Sequence, residues 1–172
     1  MGRRTLQEFL ALAALLFLLL LPVRARLNGL PDRIPLNFDM AGHPNRWGSS
    51  SQLYTLPLIG LGLAFLLTVV RFFPGSFSYP VPVTDANRVR IQALAIDMIG
   101  WLKVELFATF AWLEWSIIAV ARQGEFSRST GPGPLFLIVC VGSTLVTIYI
   151  YISAMRRAAN LPSSPQDGPR AE

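Results

Sequence analysis

Residues 135–152 read LFLIVCVGSTLVTIYIYI, eighteen positions without a charged side chain. At about 1.5 Å of rise per residue a helix of that length covers about 27 Å, close to the hydrocarbon thickness of a bilayer. A helix on a water-facing surface would show a polar stripe at a 3.6-residue period, and this stretch has none. It predicts a membrane-spanning helix, entered after the Gly131-Pro132-Gly133-Pro134 breaker.

Three further runs resemble it. The first, about 6–23, follows the basic start Arg3-Arg4. Its rival reading is a secretory signal peptide, with Val23-Arg24-Ala25 as a loose cleavage site. Pro22 followed by Arg24 and Arg26 favours a stop-transfer anchor instead. The second run, about 53–73, carries Pro57 near its start, where proline is tolerated, and stops at Arg71 and Pro74-Gly75. A longer helical pattern, about Ala86 to Ala121, follows Tyr79-Pro80-Val81-Pro82 and a Thr84-Asp85 cap. It is too long for one crossing. It divides into an amphipathic interfacial start through Ile96 and a span over about 99–121.

The chain is therefore expected to be all-α. It forms one polytopic domain over 1–159, with spans near 6–23, 53–73, 99–121 and 135–155 and an ordered loop at 24–52. The tail 160–172, with three prolines, is expected to be disordered. Composition agrees: 52% of the 172 residues are hydrophobic and 15% charged, against roughly a quarter charged in soluble domains. The net charge of +5 does not indicate nucleic acid, because the arginines flank the apolar runs, where they anchor helices at headgroups. The bilayer is the first partner. One cysteine, Cys140, permits neither an intrachain disulfide nor a thiolate metal site.

Four spans put both termini on one side. That side holds Arg3, Arg4, Arg71, Arg88, Arg90, Arg156, Arg157 and Arg170, eight arginines; the other holds Arg24, Arg26, Arg33, Arg46, Arg122 and Arg128, six. The excess favours cytoplasmic termini and an external 24–52 loop.

Charges within a bilayer are costly, about 2.5 kcal/mol or more each at the centre, and call for partners. Lys103 has no opposite charge three or four positions away on its own helix, so its partner must come from another span. Glu8 and Arg71 lie at the same depth, which suggests a cluster of Glu8, Arg71, Asp97, Lys103 and Glu105. Glu114 lies about 20° from Lys103 around the helix, so one face carries both. This face reads either as a packing stripe or as an ion or proton path, and the packing stripe is favoured. No second histidine, nucleophile elbow, phosphate loop or HExxH is present, so no catalytic residue and no cofactor is assigned. A membrane hydrolase built on Glu114 is a third reading.

The loop is more particular. Bracketed by Pro31 and Pro35, it turns at Ala41-Gly42-His43-Pro44 and returns through Trp47-Gly48. Asp32, Asn37, Asp39 and Asn45 suit turns, while Ile34, Phe38 and Trp47 suit packing onto the bundle or the interface. His43 with Asp39 is too small a ligand set for a metal.

The pattern Leu30-Pro31-Asp32-x-Ile34-Pro35-x-Asn37-Phe38-Asp39-x-x-Gly42-x-x-Asn45-x-Trp47-Gly48-Ser49, set between two spans, resembles the signature of the membrane family called domain of unknown function 1648. That family includes the immunity protein against a bacterial sporulation-delay toxin. The resemblance covers about Leu10 to Val70. Where members often carry His, Asp and Lys, this chain has Asn37, Asn45 and Ser50. The resemblance implies a bacterial inner-membrane protein with this loop outside. On that basis Asp32, Pro35, Asn37, Phe38, Asp39, Gly42, Asn45, Trp47 and Gly48 are the candidate contacts for an external peptide, toxin or partner protein. The leading expectation is a non-enzymatic integral membrane protein. A small transporter or channel component using Asp97, Lys103, Glu105 and Glu114 is the alternative. Gly60, Gly62, Gly142 and Ser143 offer packing points within one chain or in a homo-oligomer.

Overall fold

The computed structural model of the protein describes residues 2–123 and 132–160. Helix α1 (Arg3–Leu27) leads to a hairpin of β1 (Arg33–Phe38) and β2 (Pro44–Ser49), and a 3₁₀ turn (Ser50–Tyr54) enters α2 (Thr55–Val70). After an irregular connector come α3 (Arg88–Gln123) and α4 (Pro134–Ala159). Among the described residues four helical segments are long and apolar enough to cross a membrane. The protein is helical, with the two short strands a minor element within the segment the sequence suggested was an ordered loop. The tail expected to be disordered lies, beyond Asn160, outside the described residues.

Helix α3 is the hub, packing against α1, α2, α4 and β1. Charge explains its place. Asp97, Lys103 and Glu114 are buried within protein on α3, whereas α4 has no charge before Arg156 and leaves Leu135, Ile138, Leu145 and Tyr149 exposed. In water such a surface would drive association; in a bilayer it is the lipid-facing side. Hydroxyls on the outer helices bond to their own backbone. Thr68 donates to the Ala64 carbonyl at 2.6 Å, and Ser143 and Thr144 donate to that of Cys140 at 3.0 Å. These three hydroxyls therefore need no water to be satisfied.

Two glycines let helices approach closely. A Cβ at Gly60 would come within 2.8 Å of Leu18 Cδ2, and one at Gly100 within 2.5 Å of Gln7 Oε1. Gly60 is thus used within the chain, while Gly62 and Gly142 have open space around the Cβ position.

Helix boundaries differ from the sequence reading in three places. Helix α1 runs through Pro22 to Leu27. Proline removes one hydrogen bond, but Pro22 is itself buried in the packing. The true stop is Gly29 at φ 71°, where the amides of Gly29 and Leu30 return to the Arg26 and Ala25 carbonyls. Helix α3 begins at Arg88, not Ala86, and the residue that organises its start is Asn87, which accepts from the Thr84 amide at 2.8 Å and donates to the Pro82 carbonyl at 3.2 Å. Asp85 pairs instead with Arg88 at 3.0 Å. Finally, no break separates an interfacial start from a span in α3. Ile91 and Ala95 are buried with Met155 of α4, and Phe77, Tyr79 and Val81 of the connector cover them. Protein, not a lipid headgroup layer, receives the apolar face of those first turns.

Candidate functional site

The hairpin is built from its turn outward. One carboxylate oxygen of Asp39 accepts from the amides of Ala41 (2.9 Å) and His43 (2.8 Å). The backbone closes the same turn from Asp39 N to His43 O at 2.8 Å, with Gly42 at φ 85°, a conformation only glycine adopts freely. The amide of His43 is the main reason the Asp39 carboxyl is held below its ordinary pKa of 3.8. His43 Nδ1 stands 3.4 Å from the other Asp39 oxygen. Among the described residues no group of three potential ligands is close enough for a metal.

From the turn the strands pair antiparallel, Arg33 with Ser49, Ile34 with Gly48, Pro35 with Trp47, Asn37 with Arg46 and Phe38 with Pro44. The Ser50 amide ties back to the Asp32 carbonyl at 2.8 Å. Ile34, 1% exposed, anchors the hairpin to Ala25, Leu53, Ile118 and Ala121, where three helical segments meet. Asp32, Asn37 and Asn45 are exposed, and Phe38, Trp47 and Gly48 are partly so.

Between this hairpin and the bundle lies a groove of about 660 Å³. Pro35, Asn37, Phe38 and Asp39 line one wall, and Leu113 and Ile117 of α3 with Phe136 of α4 line the other. Trp112 braces that second wall, its ring edge-on to Phe136 at 4.8 Å. Arg46, Gln52 and Thr55 are further polar residues on the lining. Strand β1 has a single sheet neighbour, β2, so its outer edge has no strand partner among the described residues. The structure thus brings Pro35, Asn37, Phe38 and Asp39 to one groove. Asp39 and Gly42 chiefly shape the turn, and Asp32, Asn45, Trp47 and Gly48 do not line the groove.

The charges expected to cluster at the opposite end divide into three. The two oxygens of Glu8 are shared, one with Arg71 and the other with Lys103 at 2.6 Å, joining α1, α2 and α3. Asp97 belongs to a separate network, accepting from Gln7 at 2.9 Å and from the Tyr151 hydroxyl at 2.6 Å, with Arg3 at 3.3 Å. Glu105 accepts from Thr147 of α4. The helical period explains the division: Asp97, Lys103 and Glu105 sit at different angles on α3 and so face different neighbours. Sequence reasoning missed Gln7, Tyr151 and Thr147. Their signal was a polar group inside an apolar run, which needs a partner as a charge does.

Glu114 stands alone. It is fully buried, and neither carboxyl oxygen has a hydrogen-bond partner among the described residues. It shares a face with Lys103 but lies eleven positions, about 16 Å, along the axis, too far for a direct pair.

A protein of Archaeoglobus fulgidus, described as uncharacterized, is 25% identical over 138 residues, covering 72% of this chain and 74% of the relative. No solved structure matches. The part of the chain that runs from α1 through the hairpin into α2, residues 9–61, matches the family described as "Domain of unknown function (DUF1648)".

Proposed function

We propose that the protein is a non-enzymatic multi-pass membrane protein whose hairpin and groove recognise an extended apolar peptide or partner segment outside the cell, in an immunity-like or signalling-like role. The observation carrying this is the groove itself: five residues of the Leu30–Ser49 pattern, Ile34, Pro35, Asn37, Phe38 and Asp39, line a groove large enough for a peptide's side chains, and β1 has an edge with no strand partner among the described residues. Such edges take up extended peptides through main-chain hydrogen bonds, with side-chain pockets giving specificity. Resemblance to a family that includes a toxin-immunity protein supports the same reading. The membrane is the bacterial inner membrane on that resemblance, and the hairpin faces outward. Among the described residues seven arginines lie at the terminal end and Arg24, Arg26, Arg33, Arg46 and Arg122 at the hairpin end, a bias that favours cytoplasmic termini.

The test labels single cysteines, in a Cys140→Ser background, with an impermeant thiol reagent on intact cells. Ser51 and Ser78 are exposed, whereas Ser50 is buried and unsuitable. Labelling of Ser51→Cys alone is expected. Labelling of Ser78→Cys alone would place the hairpin in the cytoplasm and sink the reading.

The unpartnered Glu114 favours a second reading, a proton or cation carrier. On that reading Glu114→Gln abolishes flux in proteoliposomes while changes in the hairpin do not. On the recognition reading Glu114→Gln is silent.

A further inference from the structure

At the end opposite the hairpin, the first turns of α1 and α3 flank an open depression of about 490 Å³ lined by Gly2, Arg3, Arg4, Arg90, Ala93, Leu94 and Asp97. Three arginines and one aspartate contribute to its lining. That carboxylate is already engaged by Gln7, Tyr151 and Arg3, and Arg3 also donates to the Tyr151 hydroxyl at 2.9 Å. Arg4 and Arg90 make no hydrogen bond and no ion pair with any described residue. The first turn of α1 contains no acidic residue, and Gly2 supplies no side-chain cap. Its free amides add positive potential at the same place. Two exposed, uncommitted arginines beside the alkyl surface of Ala93 and Leu94 ask for a ligand that is anionic at one end and apolar at the other.

We infer that this depression binds an anionic phospholipid, its phosphate held by Arg4 and Arg90 and the upper part of its acyl chain lying on Ala93 and Leu94. Position agrees with the chemistry. Helix α1, 25 residues long, measures about 37 Å against a hydrocarbon core of about 30 Å, so Arg3 and Arg4 reach the headgroup layer. Arginine forks on phosphate oxygens bidentately, and a charge-assisted pair of this kind is stronger than a neutral hydrogen bond. The Asp97 network has a positioning part: it fixes Arg3 on the wall and leaves the other two arginines for the ligand. The site stands apart from the groove and does not depend on the hairpin reading.

The experiment uses the full chain in a neutral detergent, titrated with phosphatidylglycerol, phosphatidylcholine or glycerol phosphate, with bound lipid read by native mass spectrometry. Phosphatidylglycerol is expected to be retained in preference to phosphatidylcholine. Arg4→Gln/Arg90→Gln is expected to weaken that binding by about tenfold or more, the equivalent of one lost charge-assisted contact. Arg157→Gln, at the same end but outside the depression, should leave it unchanged. Arg4→Lys/Arg90→Lys keeps the charge, and with it the fold, and is expected to lose affinity severalfold because an ammonium does not fork. Equal retention of the two lipids, an equal loss in Arg157→Gln, or undiminished binding in the lysine variant would each overturn the inference. Glycerol phosphate competing as well as the lipid would replace the lipid with a soluble phosphate compound.

Discussion

The hairpin end of the molecule takes its shape from the backbone, and the terminal end from side-chain charge. At the hairpin, one aspartate, one left-handed glycine and a ladder of strand pairs fix the form, and a single apolar anchor, Ile34, attaches it. At the terminal end Glu8, Arg71 and Lys103 from three helices depend on one another, with the Lys103 side chain only 6% exposed. A change in the hairpin should therefore act locally. A change among the charges should act on the whole bundle, because a buried charge that loses its partner cannot be rehydrated in place.

The largest effect is expected for Glu8→Ala, which leaves Lys103 and Arg71 without their shared carboxylate. A loss of about 3 kcal/mol is expected, toward the low end for a broken buried pair because Glu8 is itself partly exposed. Thermal or urea unfolding in detergent measures it. Adding Lys103→Met should recover a good part of the loss, since an apolar replacement removes the stranded charge. No recovery would show that the triad does not act as a unit.

Next comes Ile34→Ala. It should cost about 2 kcal/mol from the lost packing and the cavity left behind, but the loss should appear as release of the hairpin, read by protease sensitivity near Met40, with the helices intact by circular dichroism. Global unfolding of that variant would break the contrast between the two ends. Gly42→Ala forces a Cβ into a left-handed conformation and should cost about 1–2 kcal/mol, again confined to the hairpin.

The smallest effect concerns pH. Because hydrogen bonding lowers the Asp39 pKa in the folded hairpin below 3.8, the aspartate stabilises the turn above that value. The contribution is lost as pH falls through the depressed folded value. Amide exchange at Ala41 and His43 should accelerate in that acidic range, and Asp39→Asn should remove the pH dependence.

Much of this was legible in advance, for identifiable reasons. Uncharged apolar runs such as 135–152 have few alternatives to spanning a membrane, and a charge within such a run must find a partner. That Glu8, Arg71 and Lys103 would lie together was suggested by their common depth, and Glu8 pairs with both cations. The hairpin was not read as strands because Pro35, Asn37, Pro44 and Asn45 disfavour a regular ladder. The irregular register between Pro35 and Phe38 shows how the prolines are accommodated. The groove was illegible, since Leu113, Ile117 and Phe136 approach Phe38 only after the bundle forms.

By itself, then, the sequence determined that four apolar helices exist, that charged α3 needs protein around it, and that the Asp39–His43 segment turns. These follow from local transfer energies and backbone preferences. Which polar group meets which was settled by helix packing, which brings Gln7 of α1 against Gly100 of α3 and turns Asp97, Lys103 and Glu105, at different angles on α3, toward different neighbours. Packing also decided that the hairpin end carries a groove and the opposite end an open depression.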